Sequence, residues 1–310
     1  MIEFQHVHKS FGGVPAVQDL SLKIPQGEFT VLIGGSGSGK STTLKMVNRL
    51  VEHDAGRILF QGQEIRSFKV QDIRRRMGYA IQSIGLFPHW TVEKNIATVP
   101  ELLGWSTSRI RDRVTELLEL LDLAPALYRG RYPHQLSGGQ QQRVGVARAL
   151  AVDPEVLLMD EPFGALDPVT RHTLQKEMLR IHSTSGKTIV LVTHDIDEAL
   201  SLATRIVLLH DGQIVQAGTP TELLTHPAND FVTDFVGRSD IGIKLLGLAT
   251  VASHTRTGET APGAALPARA TLREALSTFV ARACDRLAVV DDHGNTLGVL
   301  HFADLWQRPA

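Results

Sequence analysis

The 310 residues predict an α/β fold, and three observations carry that prediction. Residues 29–33 (FTVLI), 156–159 (VLLM) and 188–193 (TIVLVT) are nearly continuous apolar runs, as parallel strands covered on both faces require. Helical patterns separate these runs, which places helices against the sheet. The first run leads straight into GGSGSGKS at residues 34–41, a phosphate-cradling loop of the form G-x-x-x-x-G-K-S, with a helix pattern at 40–50 behind it.

In chain order, residues 2–8 and 17–24 alternate apolar positions (Ile2, Phe4; Leu20, Leu22, Ile24), the period of half-exposed antiparallel strands. In the glycine-rich loop, successive backbone amides form a concave nest, and the following helix adds its positive dipole end. Gly34, Gly35, Ser36, Gly37, Ser38, Gly39, Lys40, Ser41 and Thr42 are therefore the expected phosphate cradle. Lys40 is expected to reach the β- and γ-phosphates and Ser41 to hold Mg²⁺. Residues 77–81 (MGYAI) read as a further strand, ending at Gln82. Residues 109–123 carry Ile110, Val114, Leu117, Leu118 and Leu121 at helical spacing, marking an inserted helical region. Ser137 is a good N-cap for a helix at 140–151, and Gly138-Gly139 leaves room for a phosphate at its start. The strand at 156–159 ends in Asp160-Glu161, where polar side chains leaving a buried parallel strand point into a ligand crevice. Residues 205–210 and 213–216 flank Asp211-Gly212, a hairpin signal.

Near residue 238 the composition turns to Ala, Gly, Thr and Pro, and 254–268 reads as loop or linker. Residues 271–283 then read as a helix, 287–290 and 296–300 as strands, and a short helix follows from Phe302. The expected domains are 1–237, a linker or partial element at 238–270, and a small α+β domain at 271–310.

Acidic and basic residues nearly cancel, 33 against 32, so no nucleic-acid partner is expected. The run Arg74-Arg75-Arg76 reads as a solvated face. The single cysteine, Cys284, excludes an intrachain disulfide framework and suits a reducing compartment. No uncharged apolar run approaches the roughly 18 to 20 residues that span a bilayer. The N-terminus lacks the basic-then-apolar pattern of a signal peptide. The chain is expected to lie in the cytoplasm, reaching the inner face of the membrane only through another subunit.

LSGGQ at residues 136–140, with QQRVGVARAL behind it, resembles the signature of ATP-binding-cassette (ABC) ATPases. That resemblance covers 1–237 and implies a P-loop ABC ATPase core with an antiparallel β subdomain and a helical subdomain. It implies roles as well. Asp160 helps hold Mg²⁺ with Ser41 and Gln82, Glu161 polarises the attacking water, and His194 is the switch histidine at the γ-phosphate. Phe11 stacks on the adenine. Ser137, Gly138, Gly139 and Gln140 contact ATP held by a second, antiparallel chain, with Asp167 at the seam. The implied cofactors are ATP and Mg²⁺, and two chains sandwich two ATP molecules. Residues 84–95 (IGLFPHWTVEKN) meet transmembrane permease subunits.

QSIGLFPHWTVEKNIATVP and the segment LSGGQQQRVGVARALAVDPEVLLMDEPFGALDPVTR resemble importer components for quaternary amines or osmoprotectants, served indirectly by a periplasmic or lipid-anchored solute-binding protein. The tail TLREALSTFVARACDRLAVVDDHGNTLGVLHFADL resembles a single cystathionine-β-synthase (CBS) motif. Importers of amino acids, polyamines or sulfonates are the alternative. A repair or translation ATPase is disfavoured, since neither a long coiled-coil insertion nor a second cassette is present.

Overall fold

The computed structural model describes residues 1–81, 85–164, 166–263 and 265–306. The chain folds as two compact units, Met1–Thr219 and Pro220–Ala310.

The first unit holds two sheets. The larger has the strand order Gln213–Gly218, Arg205–His210, Phe29–Gly34, Thr188–Val192, Val156–Asp160, Met77–Ala80. Only its first pair is antiparallel. Every residue of Phe29–Gly34, Val156–Asp160 and Thr188–Val192 is buried, which is why those segments read as unbroken apolar runs. The hairpin between Arg205–His210 and Gln213–Gly218 turns through Asp211 (φ 47°) and Gly212 (φ 76°), the two left-handed positions that suit the twist of its strands.

The smaller sheet is antiparallel, in the order Val14–Ile24, Ile2–Phe11, Ala55–Phe60, Gln63–Glu64. Its alternation breaks in both long strands, between Val17 and Leu20 where Asp19 stands at φ 49°, and between Phe4 and Val7. His6 adopts φ 49° and the register shifts between Phe4 and Val7, so Val7 enters the core while His6 and His8 stay outside. Ile2, Phe4, Ile24 and Phe60 of this sheet share one core with Leu32, Leu158 and Val190 of the larger one.

The helical region comprises Val92–Leu102, Thr107–Leu120 and Gly138–Leu150, which pack on one another. Thr107–Leu120 buries Val114, Leu117 and Leu118, the stripe read from its spacing. The arginine run is not simply a solvated face. Arg74 donates to the carbonyls of Asn48 (3.2 Å) and Arg49 (2.8 Å), satisfying the end of the Lys40–Val47 helix. Arg76 pairs with Glu155 at 2.6 Å and lies over the Phe60 ring. Only Arg75 fits the simpler reading, half exposed in a loose pair with Asp72.

In the second unit, residues from 238–270 contribute to a packed core. Ile241–Leu248 is a helix whose Leu246 joins Val251, Leu272, Ala275, Phe279, Leu287, Val289 and Leu300 in one core. Leu266–Pro267 pairs parallel with Arg286–Val290, which pairs antiparallel with Thr296–His301. Pro220–Thr225 packs on Ile241–Leu248, so compactness begins at Pro220, well before the change of composition at 238. The composition misled because small residues here form short turns and bridges, such as Thr250 to Thr271 and Arg256 to Val299, that carry no period.

Candidate functional site

The site begins where Phe29–Gly34 leaves the sheet. Lys40–Val47 starts directly after Gly39, which stands at φ 93°. A Cβ there would sit 2.4 Å from the Ala16 carbonyl oxygen, so only glycine lets the loop run against the Val14–Ile24 strand. Gly35, Ser36 and Gly37 are exposed at the crown of the loop, while Ser38 and Lys40 are buried. Lys40 Nζ donates to the carbonyls of Gly34 (2.9 Å) and Gly35 (2.6 Å) and to Ser38 Oγ (3.2 Å). Burial pulls the Lys40 ammonium below its usual range, only partly offset by the negative charges of Glu161 and Asp160. Ser41 and Thr42 occupy the first turn, partly exposed.

Asp160 ends the Val156–Asp160 strand and accepts a hydrogen bond from Ser41 Oγ at 2.7 Å. Its second oxygen accepts from Tyr79 OH at 3.4 Å and lies 4.0 Å from Lys45 Nζ. Burial, and then the Asp160 charge, push the Tyr79 phenol up, so it stays protonated as a donor. Glu161 follows at φ 46°, a left-handed backbone that residues other than glycine seldom adopt. Its amide donates to the Val192 carbonyl (3.0 Å), tying this turn to the next strand. That strand delivers His194, whose Nδ1 lies 3.5 Å from Glu161 Oε2. Lys40 and Ser41, the adjacent Asp160 and Glu161, and His194, from three segments well separated in sequence, thus meet at one end of the sheet.

Ser137 caps the Gly138–Leu150 helix through a reciprocal pair: its Oγ accepts from the Gln140 amide, and Gln140 Oε1 accepts from the Ser137 amide. The helix begins at Gly138, two residues ahead of the start expected from the sequence. Gly139 is buried, and a Cβ on it would stand 2.2 Å from Thr170 Cγ2. Asp167 Oδ1 accepts from the amides of Val169 and Thr170, both at 3.1 Å, and caps Pro168–Ser185. Hydrogen bonding from the Thr170 side chain, and then from these amides, holds its carboxyl below the usual carboxylate range.

Phe11 is half exposed at the end of its strand with Lys9 Nζ 5.2 Å from the ring centroid. It belongs to the hairpin whose second strand flanks Gly39. Gln82 and Ile84 lie outside the described residues, so the glutamine and the start of the 84–95 surface are not placed. In the rest of that surface, Asn95 is fully buried. Its Oδ1 accepts from the Phe87 amide (2.8 Å), and Nδ2 donates to the carbonyls of Phe87, Trp90 and Thr91. Phe87 and Trp90 lie tilted against each other beside this knot, their centroids 4.4 Å apart.

Sequence reasoning missed Tyr79, Lys45, Thr193, Arg171 and Glu198, all of which touch the site or its supports. Tyr79 had a local signal, because alternate residues of a strand beside Val156–Asp160 face the same way. The others had none.

The donor set suits a magnesium ion. A hydroxyl and a carboxylate converge at 2.7 Å, both hard oxygen donors. Among the described residues no group of three His, Cys, Asp or Glu side chains forms a cage by itself. Magnesium is characteristically held by one or two protein oxygens together with substrate phosphates and water.

The ABC transporter family profile matches residues 17–164, and the CBS domain profile matches residues 262–305. The chain is 65% identical to the glycine betaine uptake system ATP-binding protein YehX of Escherichia coli, covering 98% of this chain and 99% of that one. It is 47% identical to the carnitine transport ATP-binding protein OpuCA of Listeria monocytogenes, over 96% of this chain and 74% of that one. A dimeric ATP-binding cassette solved in a post-hydrolysis state with ADP and phosphate superposes with a TM-score of 0.65 at 33% identity, over 71% of this chain and 99% of that one. With its phosphate loop, signature helix and C-terminal CBS domain, the chain belongs to the ABC transporter family as an ATP-binding protein.

Proposed function

We propose that the chain is the ATP-hydrolysing subunit of a bacterial importer, energising uptake of an osmoprotectant or quaternary amine through separate membrane subunits. The candidates are glycine betaine, choline, carnitine and proline betaine. The observation that carries this reading is the 65% identity to a glycine betaine uptake ATPase, sustained through both units. In this reading the cassette sits at the cytoplasmic face of the membrane. Among the described residues no helix is long and apolar enough to cross a bilayer, so attachment comes through permease subunits. The 82–95 surface is the part of this chain assigned to that contact.

The mechanism follows from what phosphoryl transfer demands, namely positioning and charge neutralisation. Lys40 and the loop amides bind the β- and γ-phosphates, and Phe11 stacks on the adenine. Ser41, Asp160 and Gln82 would hold Mg²⁺, which would supply charge neutralisation at the phosphates. Glu161 orients and deprotonates the attacking water, and His194, 3.5 Å away, hydrogen-bonds the γ-phosphate and fixes the glutamate. Ser137, Gly138, Gly139 and Gln140 of a second chain cover the same nucleotide, with Asp167 at the seam. A helix start that leaves Gly138 exposed is suited to this task. ATP binding closes the pair, closure drives the membrane subunits, and hydrolysis reopens it.

The test is reconstitution of the chain with its membrane subunits, reading ATPase stimulation across solute-loaded binding proteins. Stimulation by quaternary amines alone is expected. Stimulation by an amino acid, polyamine or sulfonate instead overturns the substrate assignment. Glu161→Gln in the same assembly should retain ATP in a closed dimer, and normal turnover in that variant removes the glutamate from its role.

A further inference from the structure

Two loops adjoin the candidate site, the aspartate loop before Pro168–Ser185 and the histidine loop after Thr188–Val192. One side chain bridges them. Arg171 Nη2 donates to the Leu166 carbonyl at 3.3 Å, one residue ahead of Asp167. Its Nη1 lies 3.5 Å from Asp195 Oδ2, one residue past His194. Its Nε lies 3.8 Å from Glu198 Oε1. Glu198 is 5% exposed, and its other oxygen accepts a 2.6 Å hydrogen bond from Thr193 Oγ1, one residue before His194. The same threonine hydroxyl accepts from the Asp195 amide at 3.1 Å. Thr193 is anchored in turn by its amide, which donates to the Leu32 carbonyl beside the phosphate loop. His194 is thus bracketed on both sides by residues whose polar atoms are tied together, and the bracket is bolted to Arg171.

We propose that Arg171 is a positioning residue that links the Asp167 loop to His194 through Asp195 and the Glu198–Thr193 pair. This inference rests on the reading of His194 as a participant in hydrolysis. The geometry also gives the link a direction of travel. Arg171 Nε is buried without a hydrogen bond, and 3.8 Å to Glu198 is too long to supply one. A movement of the Pro168–Ser185 helix start that shortens this distance would complete the bond and tighten the bracket, and contact made at the seam by a second chain would then register at the histidine of the first. Guanidinium suits this because its donors form one rigid fork that faces several acceptors at once, whereas an ammonium is a compact point charge. The competing account is a cluster that only staples two loops together.

The experiment measures kcat and KM for ATP with the full-length chain in its membrane assembly. The variants are Arg171→Lys, Glu198→Gln and His194→Ala, together with each of the first two combined with His194→Ala. Arg171→Lys and Glu198→Gln are each expected to lower kcat about tenfold or more while KM changes less than about twofold. Combined with His194→Ala, neither should lower the rate further, because both act through the same ring. Unchanged kcat in both single variants overturns the link. Losses that multiply with that of His194→Ala overturn it too, as does a KM that rises in step with the fall in kcat. Should Arg171→Lys fold poorly, the near-isosteric Glu198→Gln decides the matter by the same criteria. If His194→Ala alone turns over normally, the reading of His194 fails, and this inference fails with it for that reason.

Discussion

At Gly139 the lack of a side chain matters for two reasons at once. The sequence suggests room for a phosphate, and the structure adds a packing constraint, because a Cβ there meets Thr170 Cγ2 at 2.2 Å. Gly139→Ala should therefore destabilise the cassette by about 1–3 kcal/mol through overpacking. Thr170→Ser removes the clashing methyl, and in the same chain it should recover most of the lost melting temperature. Thermal unfolding of the single and double variants checks this; equal destabilisation in both places the constraint elsewhere. Glu161 was legible as a carboxylate at a strand exit. Its left-handed backbone was not, because nothing in the letters D-E-P signals a positive φ. Arg171 and Glu198 were illegible for a different reason. Each acts through a partner remote in sequence, and a single sequence does not say which arginine meets which loop.

Among the elements, the buried strands were the most legible, since covering both faces of a sheet forces continuous apolar runs. The segment at 85–95 was legible as a surface but not as a built one. Asn95 makes four hydrogen bonds to the backbone of residues 87–91 and holds Phe87 and Trp90 in place. Asn95→Ala strands buried donors and acceptors, costing about 2 kcal/mol locally. Hydrogen exchange at the Phe87 amide should accelerate in that variant, and unchanged protection refutes the knot. The second unit carries a comparable fastening. Asp304, 4% exposed, takes two hydrogen bonds from Arg256 at 2.6 and 2.8 Å, and these bonds hold its carboxyl below the usual range. A depressed folded-state pKa contributes stability that is complete above the ordinary aspartate value of about 3.9 and is lost as pH falls through the lower folded value. Melting of the second unit should fall over that acidic window, and Asp304→Asn should flatten the fall. A slope unaffected by the substitution assigns the acid sensitivity to other groups.

For the whole molecule, the proposed sandwich makes activity a property of two chains. ATPase rate should rise more steeply than linearly with protein concentration until dimers dominate; strict proportionality down to clearly monomeric protein refutes the requirement. The sequence located both ends of the architecture but placed the change of character at 238, whereas the second unit is compact from Pro220. Composition reports where a core thins out, not where the chain changes partners. Two short helices, Pro220–Thr225 and Asp230–Val236, bury Leu223, Leu224, Val232 and Val236 without any shift in residue usage to announce them.

The grip of Lys40 on the carbonyls of its own loop has a consequence for heat and protons. A phosphate arriving at the loop takes the ammonium from partners it already has, so much of the favourable enthalpy of the new contact is an exchange. Burial lowers the proton affinity of Lys40, whereas a polyanion beside it raises that affinity. At alkaline pH, nucleotide binding should therefore draw protons from solution. The measured enthalpy should then depend on the ionisation heat of the buffer, a calorimetric signature of this lysine that Lys40→Arg should abolish.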